Sequence, residues 1–495
     1  MKKVFFCGIA GSGMSALAGL FKKKGYEVYG SDARFYPPVD GLLKDLQVTL
    51  FQGFCEKNIP AAIDFCVIGN VVGRGNPEVE FILNRGIEYY SMAEALQHFF
   101  IKGKESLVVA GSHGKTTTAS FIAHLLTVAG RQPGFFIGGK PLNFAANFHL
   151  GRGDYFVTEG DEYETAFFDR TAKFFKYRPD RLILTALEHD HLDFYKTPES
   201  YLQSFQNLVN QVPGRGTIIV NRDYEMALQA VARAFTPVIA YGQSGADYEI
   251  THVQAKDGGY DFRLTQQSWI RALDNKFSSQ KTQKIYYKAL KNNSRQWQFH
   301  TPLAGPYNVW NLTAGIILAL ELQLPLKAIE KALATFQGVE RRLTVIGRLQ
   351  NTVFIEDFAH HPTAIANVLR ALPSLYPQHE ILVVFEPRSW SLRRNFFQDQ
   401  LPASLAYADA IVIKDVFEKE KIPASERLNV AKVKKELEAM GKGVQVFENY
   451  HDIQQFLSTL DFSLKRVIIL LSNGDVHDFT DWVKDLTREK QNQFN

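Results

Sequence analysis

A lysine and a threonine placed side by side after a glycine-bracketed turn are suited to hold phosphate. The run from Val108 reads VVAGSHGKTTTASF: an apolar strand, the turn Gly111-Ser112-His113-Gly114, then Lys115, Thr116 and Thr117 opening a helix. The long nucleotide-binding pattern is GxxxxGK[ST]. Here the turn is the shorter GxxGKT, with Val109 where the first glycine of the long form falls. The physics is unchanged. Glycines let backbone N–H groups face phosphate oxygens, and the helix start adds its positive end. Lys115 supplies a point charge, and the Thr116 hydroxyl suits Mg2+. Two clusters of acids and imidazoles end other apolar strands. VTEGDEYE carries Glu159, Asp161 and Glu162, and ALEHDHLD carries Glu188, His189, Asp190, His191 and Asp193. In an open parallel sheet, ligands bind beyond the carboxyl ends of strands, so both clusters are expected to face Lys115.

A second anion site precedes this one. CGIAGSGMS places Gly8, Gly11, Ser12, Gly13 and Ser15 between a strand and a helix. The glycines spell GxxGxG, not the GxGxxG dinucleotide fingerprint. Backbone N–H groups and a helix start still face a diphosphate, and Asp32 ends the next strand, where an acid bonds a ribose hydroxyl. The expected ligand is nucleotide-linked and is not NAD.

These residues need rigid elements behind them. Short apolar runs alternate with helical patterns through KKVFFCGI, SALAGLFKKKG, YEVYGSD, DFCVIGN and GIEYYS, the rhythm of a parallel sheet with crossover helices. A second unit opens with SLVVAG and runs through DYFVTEGDE, RLILTALEHDH and GTIIVNRD. Alternation around Asp257-Gly258-Gly259 then predicts a hairpin. The Lys-, Gln-, Asn- and Ser-rich stretch 266–298 reads as a surface insertion, and NVWNLTAGIILALEL as a buried helix. A third α/β unit follows with TVFIEDF, EILVVFEP, DAIVIKDV, GVQVFEN and RVIILLSNGD. The expected domains are 1–101, 102–338 and 339–495. They form an α/β fold with Rossmann-like N- and C-terminal domains and a central P-loop ATPase-type domain carrying a small antiparallel element.

Composition narrows the partners. A net charge of +4 over 495 residues, with no basic block, argues against nucleic acid. Cys7, Cys55 and Cys66 form neither a disulfide framework nor a zinc pattern, which suits a reducing cytoplasm. Glycines and lysines interrupt the N-terminal apolar stretch too early for a secretory segment, and no run is long enough to span a membrane.

GSHGKTTT, LEHDHLD, GPYNVWN, GVERRL and EDFAHHPTA follow one another in the order and spacing of the Mur ligases, and the chain resembles that family over essentially its whole length. Within the family, GSDARFYPP, VIGNVVGRGNPEVE, DEYETAFFDRTAKFFKYRP and FEPRS resemble the branch that joins L-alanyl-γ-D-glutamyl-meso-diaminopimelate to UDP-N-acetylmuramate in peptidoglycan recycling. GIAGSGMSALAG is equally similar to the branch that adds L-alanine. The resemblance implies an ATP-dependent, ADP-forming amide ligase using Mg2+. Its ligands would be UDP-N-acetylmuramate and a cell-wall tripeptide, and it would be a cytoplasmic monomer or weak homo-oligomer.

It also implies roles. Lys115 would hold the β- and γ-phosphates, Thr116 would bind Mg2+, and Glu159 with His191 would form the second metal site. Asn308 and Asn311 would lie around the adenine, and Arg342 and Asp357 would close on ATP from the third domain. The 8–15 turn, Asp32 and Asn70 would hold the UDP-sugar. His360 is the expected general base. Arg388 and Ser389, with Arg393 and Arg394, are expected to meet the carboxylates of the peptide, a solvated basic helix start being the alternative for the last two. The chain departs from the family at Tyr307, where a histidine is usual, at Gly160, at Gln206 in place of a modified lysine, and in WSLRRN after EPRS. A motor-type ATPase and a non-catalytic UDP-sugar binder are the other classes open to these residues.

Overall fold

Buried apolar strands set out three sheets in turn along the chain. The computed structural model describes every residue except 37, 38, 268, 274–284, 290–293, 475 and 495. The first sheet has five strands in the sequential order 3-2-1-4-5, all parallel: Lys3–Cys7, Glu27–Asp32, Thr49–Gln52, Phe65–Ile68 and Tyr89–Ser91. The order reverses between Lys3–Cys7 and Phe65–Ile68, and a Rossmann-like sheet binds its ligand at that switch point. Both strands are buried on both faces, which is why they read as unbroken apolar runs. The helix Ser12–Lys23 follows the first strand directly and buries Met14 to Phe21 against the sheet.

The second sheet has ten strands, and its centre matters most. Glu105–Ala110 lies between Tyr155–Gly160 and Arg181–Leu184, parallel to both. Ala110 pairs with Gly160 on one side and Leu184 on the other, so three chain segments leave the sheet at the same edge. They are the phosphate turn, the Glu159–Glu162 stretch and the 185–195 stretch. Helix Lys115–Val128 packs its buried face against helix Tyr307–Glu321.

The sheet ends in an antiparallel element. Tyr248–Lys256 and Gly259–Gln266 meet at a two-residue turn, Asp257 at φ +50° and Gly258 at φ +78°, the paired positive angles of a type I′ hairpin. Arg295–Thr301 adds the outer strand. Within the 266–298 stretch, Trp269–Leu273 pairs with Ile285–Ala289 as a separate two-stranded ribbon; residues 268, 274–284 and 290–293 of that stretch lie outside the described residues.

The third sheet has six strands. Thr352–Asp357, Arg466–Leu471, Glu380–Phe385, Ala410–Lys414 and Gly443–Phe447 are parallel, and Thr344–Leu349 runs antiparallel at the edge. Asp357, Leu471 and Phe385 are in register, so the loops after them share one end of the sheet. The joint before this sheet is a run of left-handed backbone: Gly338 (φ +86°), Arg341 (φ +60°) and Leu343 (φ +48°). Arg341 fixes it by donating to the Glu356 carboxylate and to the carbonyls of Ser472 (3.0 Å) and Gly474 (2.8 Å). Among the described residues no helix is long and apolar enough to cross a membrane.

Candidate active site

The phosphate turn is held open by glycine. Gly111 sits at φ +133° and Gly114 at φ +85°, and a Cβ at Gly114 would stand 2.2 Å from Asn311 Oδ1. The turn is braced from the neighbouring strand's tail. Ser112 Oγ donates to the Glu188 carbonyl (2.6 Å) and accepts the Glu188 N–H (2.9 Å), and Thr185 Oγ1 donates to the His113 carbonyl (2.6 Å). Behind it, Asn311 Nδ2 donates to Asn308 Oδ1 (2.9 Å) and Asn308 Nδ2 to the Ala304 carbonyl (2.6 Å), with Thr117 buried nearby. The two asparagines therefore form the wall behind Gly114. Tyr307, where the family has histidine, is half-buried close to Asp357 and Arg342.

Lys115 is placed by Glu162, one of the acids expected to face it but given no role of its own. Its ammonium donates to both oxygens of Glu162, at 3.1 and 3.0 Å, and to the Gly111 carbonyl. Glu162 has no exposed side-chain surface and also lies 3.0 Å from His191 Nε2. The expectation paired His191 with Glu159; the structure puts Glu162 between His191 and Lys115 instead. The reason is local. Glu159 is the last outward position of its strand and turns to Thr116, while Glu162 lies past the strand end and folds inward. Burial alone would raise Glu162, but Lys115 and His191 outweigh it and hold the carboxyl below its usual range. Burial likewise disfavours the charged forms of Lys115 and His191, and Glu162 outweighs it, so both lie above their usual values. His191 adopts φ +54°, an uncommon angle that aims its ring inward against Tyr163, 4.1 Å between centroids.

Thr116 and Glu159 make a separate oxygen pair. Thr116 Oγ1 donates to Glu159 Oε2 at 2.9 Å, and the Gly138 N–H to Glu159 Oε1 at 2.6 Å. Burial pushes the Glu159 carboxyl above its usual range despite these bonds and the nearby Lys115 and Arg342. A half-buried carboxylate beside a hydroxyl is a donor set that fits Mg2+. Asp161 turns away to Lys173 (2.7 Å) and is held at about 2.

The N-terminal turn meets this site through Gly138. Gly11 precedes the helix with no side-chain cap, leaving the first N–H groups of Ser12, Gly13 and their neighbours open. Asp32 accepts the Ala10 N–H (2.8 Å) and the Ala33 N–H (2.7 Å), so it sets the shape of the turn. Gly8 and Ile9 donate to the Ser31 carbonyl, Ser15 Oγ to that of Ser12 (3.1 Å), and Asn70 is exposed beside the switch point. Ser12 Oγ reaches the Gly138 carbonyl at 3.5 Å. One peptide segment, IGGK after an apolar strand, thus touches both anion sites; the paired glycines were its signal in the sequence.

The third domain contributes a rim. Asp357 is buried, accepts the N–H groups of Leu343 and Ala359 (each 2.8 Å), and is pushed up by burial against the pull of Arg342. The Arg342 guanidinium lies over Phe358, 5.3 Å from the ring centre. His360 Nδ1 donates to the Phe358 carbonyl across 3.0 Å, and burial pushes its imidazole down to about 4. That leaves it neutral at pH 7 and able to accept a hydrogen bond. His361 caps helix Pro362–Leu375 and stacks near His113, 4.8 Å between centroids.

The arginines after FEPRS are not a solvated helix start. The segment is a turn whose Ser389 Oγ accepts the Leu392 N–H (3.2 Å). Arg388 lies 4.1 Å over Phe417 and 3.6 Å from Glu386, Arg393 is 3.4 Å from Glu418, and Arg394 covers Trp390 at 4.0 Å. Glu386 is fully buried and also meets Lys414 (3.1 Å), Tyr450 (2.8 Å) and Ser472 (2.6 Å), a polar cluster not foreseen from sequence.

Three family models match in series: "Mur ligase family, catalytic domain" over residues 3–103, "Mur ligase middle domain" over 109–319, and "Mur ligase, glutamate ligase domain" over 341–474. The chain is 35% identical over 413 residues to the UDP-N-acetylmuramate–L-alanyl-gamma-D-glutamyl-meso-2,6-diaminoheptandioate ligase of Escherichia coli (strain K12), covering 83% of this chain and 84% of that one. It is 32% identical to the UDP-N-acetylmuramate–L-alanine ligase of Aquifex aeolicus (strain VF5), covering 99% of each. Its fold superposes on a murein peptide ligase from Psychrobacter arcticus with a TM-score of 0.70 at 28% identity, over 98% of both chains.

Proposed function

The chain belongs to the Mur ligase family and is an ATP-dependent, ADP-forming ligase; on that premise we propose that it joins L-alanyl-γ-D-glutamyl-meso-diaminopimelate to UDP-N-acetylmuramate, in the cytoplasm, as a step that reuses cell-wall peptide. The observation that carries an acyl-transfer reading is the meeting of two anion sites at Gly138. A nucleotide-linked sugar acid on the first domain and a nucleoside triphosphate on the second would there bring carboxylate and γ-phosphate together.

The residues divide the work. Residues 1–101 hold the UDP-sugar through the helix start at Ser12 and the turn shaped by Asp32. Residues 102–338 hold ATP, and 339–495 close over it and receive the peptide. Lys115 rests on Glu162 and transfers to the incoming phosphates, neutralising repulsion as the carboxylate attacks the γ-phosphorus in line. Thr116 and Glu159 are the donors we assign to Mg2+, which would supply positive charge to the phosphoryl oxygens when bound, and His191 would join them only on leaving Glu162. Arg342 lies in the left-handed joint at 338–343 and Asp357 beyond it, so closing the third domain brings them to the nucleotide and excludes water from the acyl phosphate. The peptide's amine attacks the acyl carbon and phosphate leaves. His360, neutral by burial, orients that amine by accepting a hydrogen bond. Arg388, with its donors fixed over Phe417, takes a peptide carboxylate.

The Aquifex aeolicus relative, matched along 99% of the chain, favours a second reading: addition of L-alanine. A substrate panel separates them. Purified protein is given ATP, Mg2+ and UDP-N-acetylmuramate with L-alanine, tripeptide or tetrapeptide, and product masses are read. Product with tripeptide and none with L-alanine supports the proposal; turnover with L-alanine alone assigns the other branch.

A further inference from the structure

A histidine of the phosphate turn, a carboxylate of the neighbouring strand's tail and a histidine of the third domain converge outside the Lys115 network. His113 Nε2 lies 3.0 Å from Glu188 Oε2. The rings of His113 and His361 are 4.8 Å apart, and one ligand atom from each of the three residues falls within 4.8 Å of the others. Ligands on a tetrahedral zinc, with bonds of about 2.0–2.1 Å, stand roughly 3.3 Å from one another, so modest side-chain adjustment closes this set around one ion. Two imidazoles and a carboxylate are zinc-type donors, distinct in kind from the oxygen pair Thr116–Glu159.

Support groups are in place. Thr363 Oγ1 donates to the other Glu188 oxygen at 3.2 Å and fixes that carboxylate's direction. Phe397 packs edge-on against the His361 ring at 4.8 Å and limits its rotation. The site opens into a pocket of about 360 Å³ lined by Glu188, Leu192, His361, Phe396, Phe397 and Gln400, which provides an entry path and space for a fourth, solvent ligand. The Thr363 N–H reaches His361 Nδ1 at 3.3 Å; coordination through Nε2 places the ring proton on Nδ1 and exchanges that long cap bond for the metal bond.

We propose that His113, Glu188 and His361 form a divalent transition-metal site, of the Zn2+ class, that crosslinks the third domain to the phosphate turn. Two ligands belong to the central domain and one to the third, so an ion bound here holds the two together. The site does not depend on which amide the enzyme makes.

The test uses chelator-treated full-length protein in millimolar Mg2+, which competes for the oxygen donors at Thr116 and Glu159. Zn2+ is titrated by calorimetry and Co2+ by visible absorption. The expected result is one Zn2+ per chain at micromolar concentration or below, with the intense visible bands of four-coordinate Co2+. His361→Asn keeps a helix-capping side chain while removing the imidazole, and Glu188→Gln keeps the side chain's size. Each is expected to weaken Zn2+ by at least about 10- to 100-fold, the loss that follows from removing even an outer-shell partner. His191→Ala is expected to bind as the parent does. Absence of micromolar Zn2+ binding, parent-like binding by both His361→Asn and Glu188→Gln, or loss confined to His191→Ala each overturns the assignment.

Discussion

Glu162 holds His191 at 3.0 Å on one side and Lys115 at 3.0 Å on the other, with no side-chain surface of its own in contact with solvent. A single buried carboxylate therefore sets the resting position of both the Lys115 ammonium and the His191 imidazole. Tyr201 and Tyr195 close the shell, their hydroxyls bonding the Glu162 carboxylate (3.3 Å) and carbonyl (2.9 Å).

Removing that carboxylate leaves two cationic groups without their partner. Glu162→Ala is expected to destabilise the fold by about 3–5 kcal/mol, the usual effect of breaking a buried pair from one side. Glu162→Gln, which keeps shape and hydrogen bonding, is expected to fold but to lose most turnover. Thermal melting and phosphate release measure the two effects; a Gln variant with parent-like turnover refutes the role given to Glu162.

Gly114→Ala tests the cradle. The backbone there is at φ +85°, and the added Cβ would press on the Asn311 amide. Strain of about 1–3 kcal/mol is expected, together with a raised KM for ATP. Binding of the UDP-sugar, measured by calorimetry, is expected to stay as it was.

Asp32→Ala separates the first anion site from the second. The carboxylate holds the Ala10 N–H, so its loss loosens the glycine turn before the helix start. UDP-N-acetylmuramate affinity is expected to fall at least tenfold, of the order of 1.4 kcal/mol, with ATP affinity unchanged. Equal losses for both ligands would show that the turn serves the fold rather than the sugar nucleotide.

Acid stability follows from one buried and one half-buried imidazole. Burial pushes His360 and His361 from the ordinary 6.5 down to about 4; His113 disfavours the His361 charge further, while Asp190 and Glu188 favour it. Below 6.5 the unfolded chain takes up protons that the folded chain refuses until about 4. Their contribution is complete above the higher value and is lost as pH falls through the window between the two. The melting temperature of the ligand-free protein is expected to drop across that window, and less steeply in His361→Asn. An unchanged slope in that variant counts against burial as the cause.

Arg388→Ala is expected to raise KM for the peptide while leaving ATP and UDP-sugar binding intact. The guanidinium is oriented by Phe417 and Glu386, both away from the nucleotide turn. A fall in kcat with an unaltered peptide KM would place this side chain in closure of the third domain instead.

Local pattern carried much of this far. The apolar runs ending at Cys7, Ala110, Leu184 and Leu471 are strands because their residues are buried on both faces, and the Asp257-Gly258 turn took the conformation its residues favour. What the sequence hid was long-range choice. Glu159 and Glu162 are three residues apart and chemically alike, and only the strand's end decides which one turns inward to Lys115. The His113–Glu188–His361 contact spans separations of 75 and more residues, with no periodicity to betray it. The strand Thr344–Leu349 is half-exposed and antiparallel, so it lacked the buried run that marks its neighbours.

Gly138 gives its N–H to Glu159 and its carbonyl to Ser12. The peptide planes on either side of one α-carbon are thereby committed to different pockets, and neither can tilt freely without dragging on the other. On the proposed function, a sugar nucleotide settling on the first domain would be felt by the acid assigned to magnesium on the second.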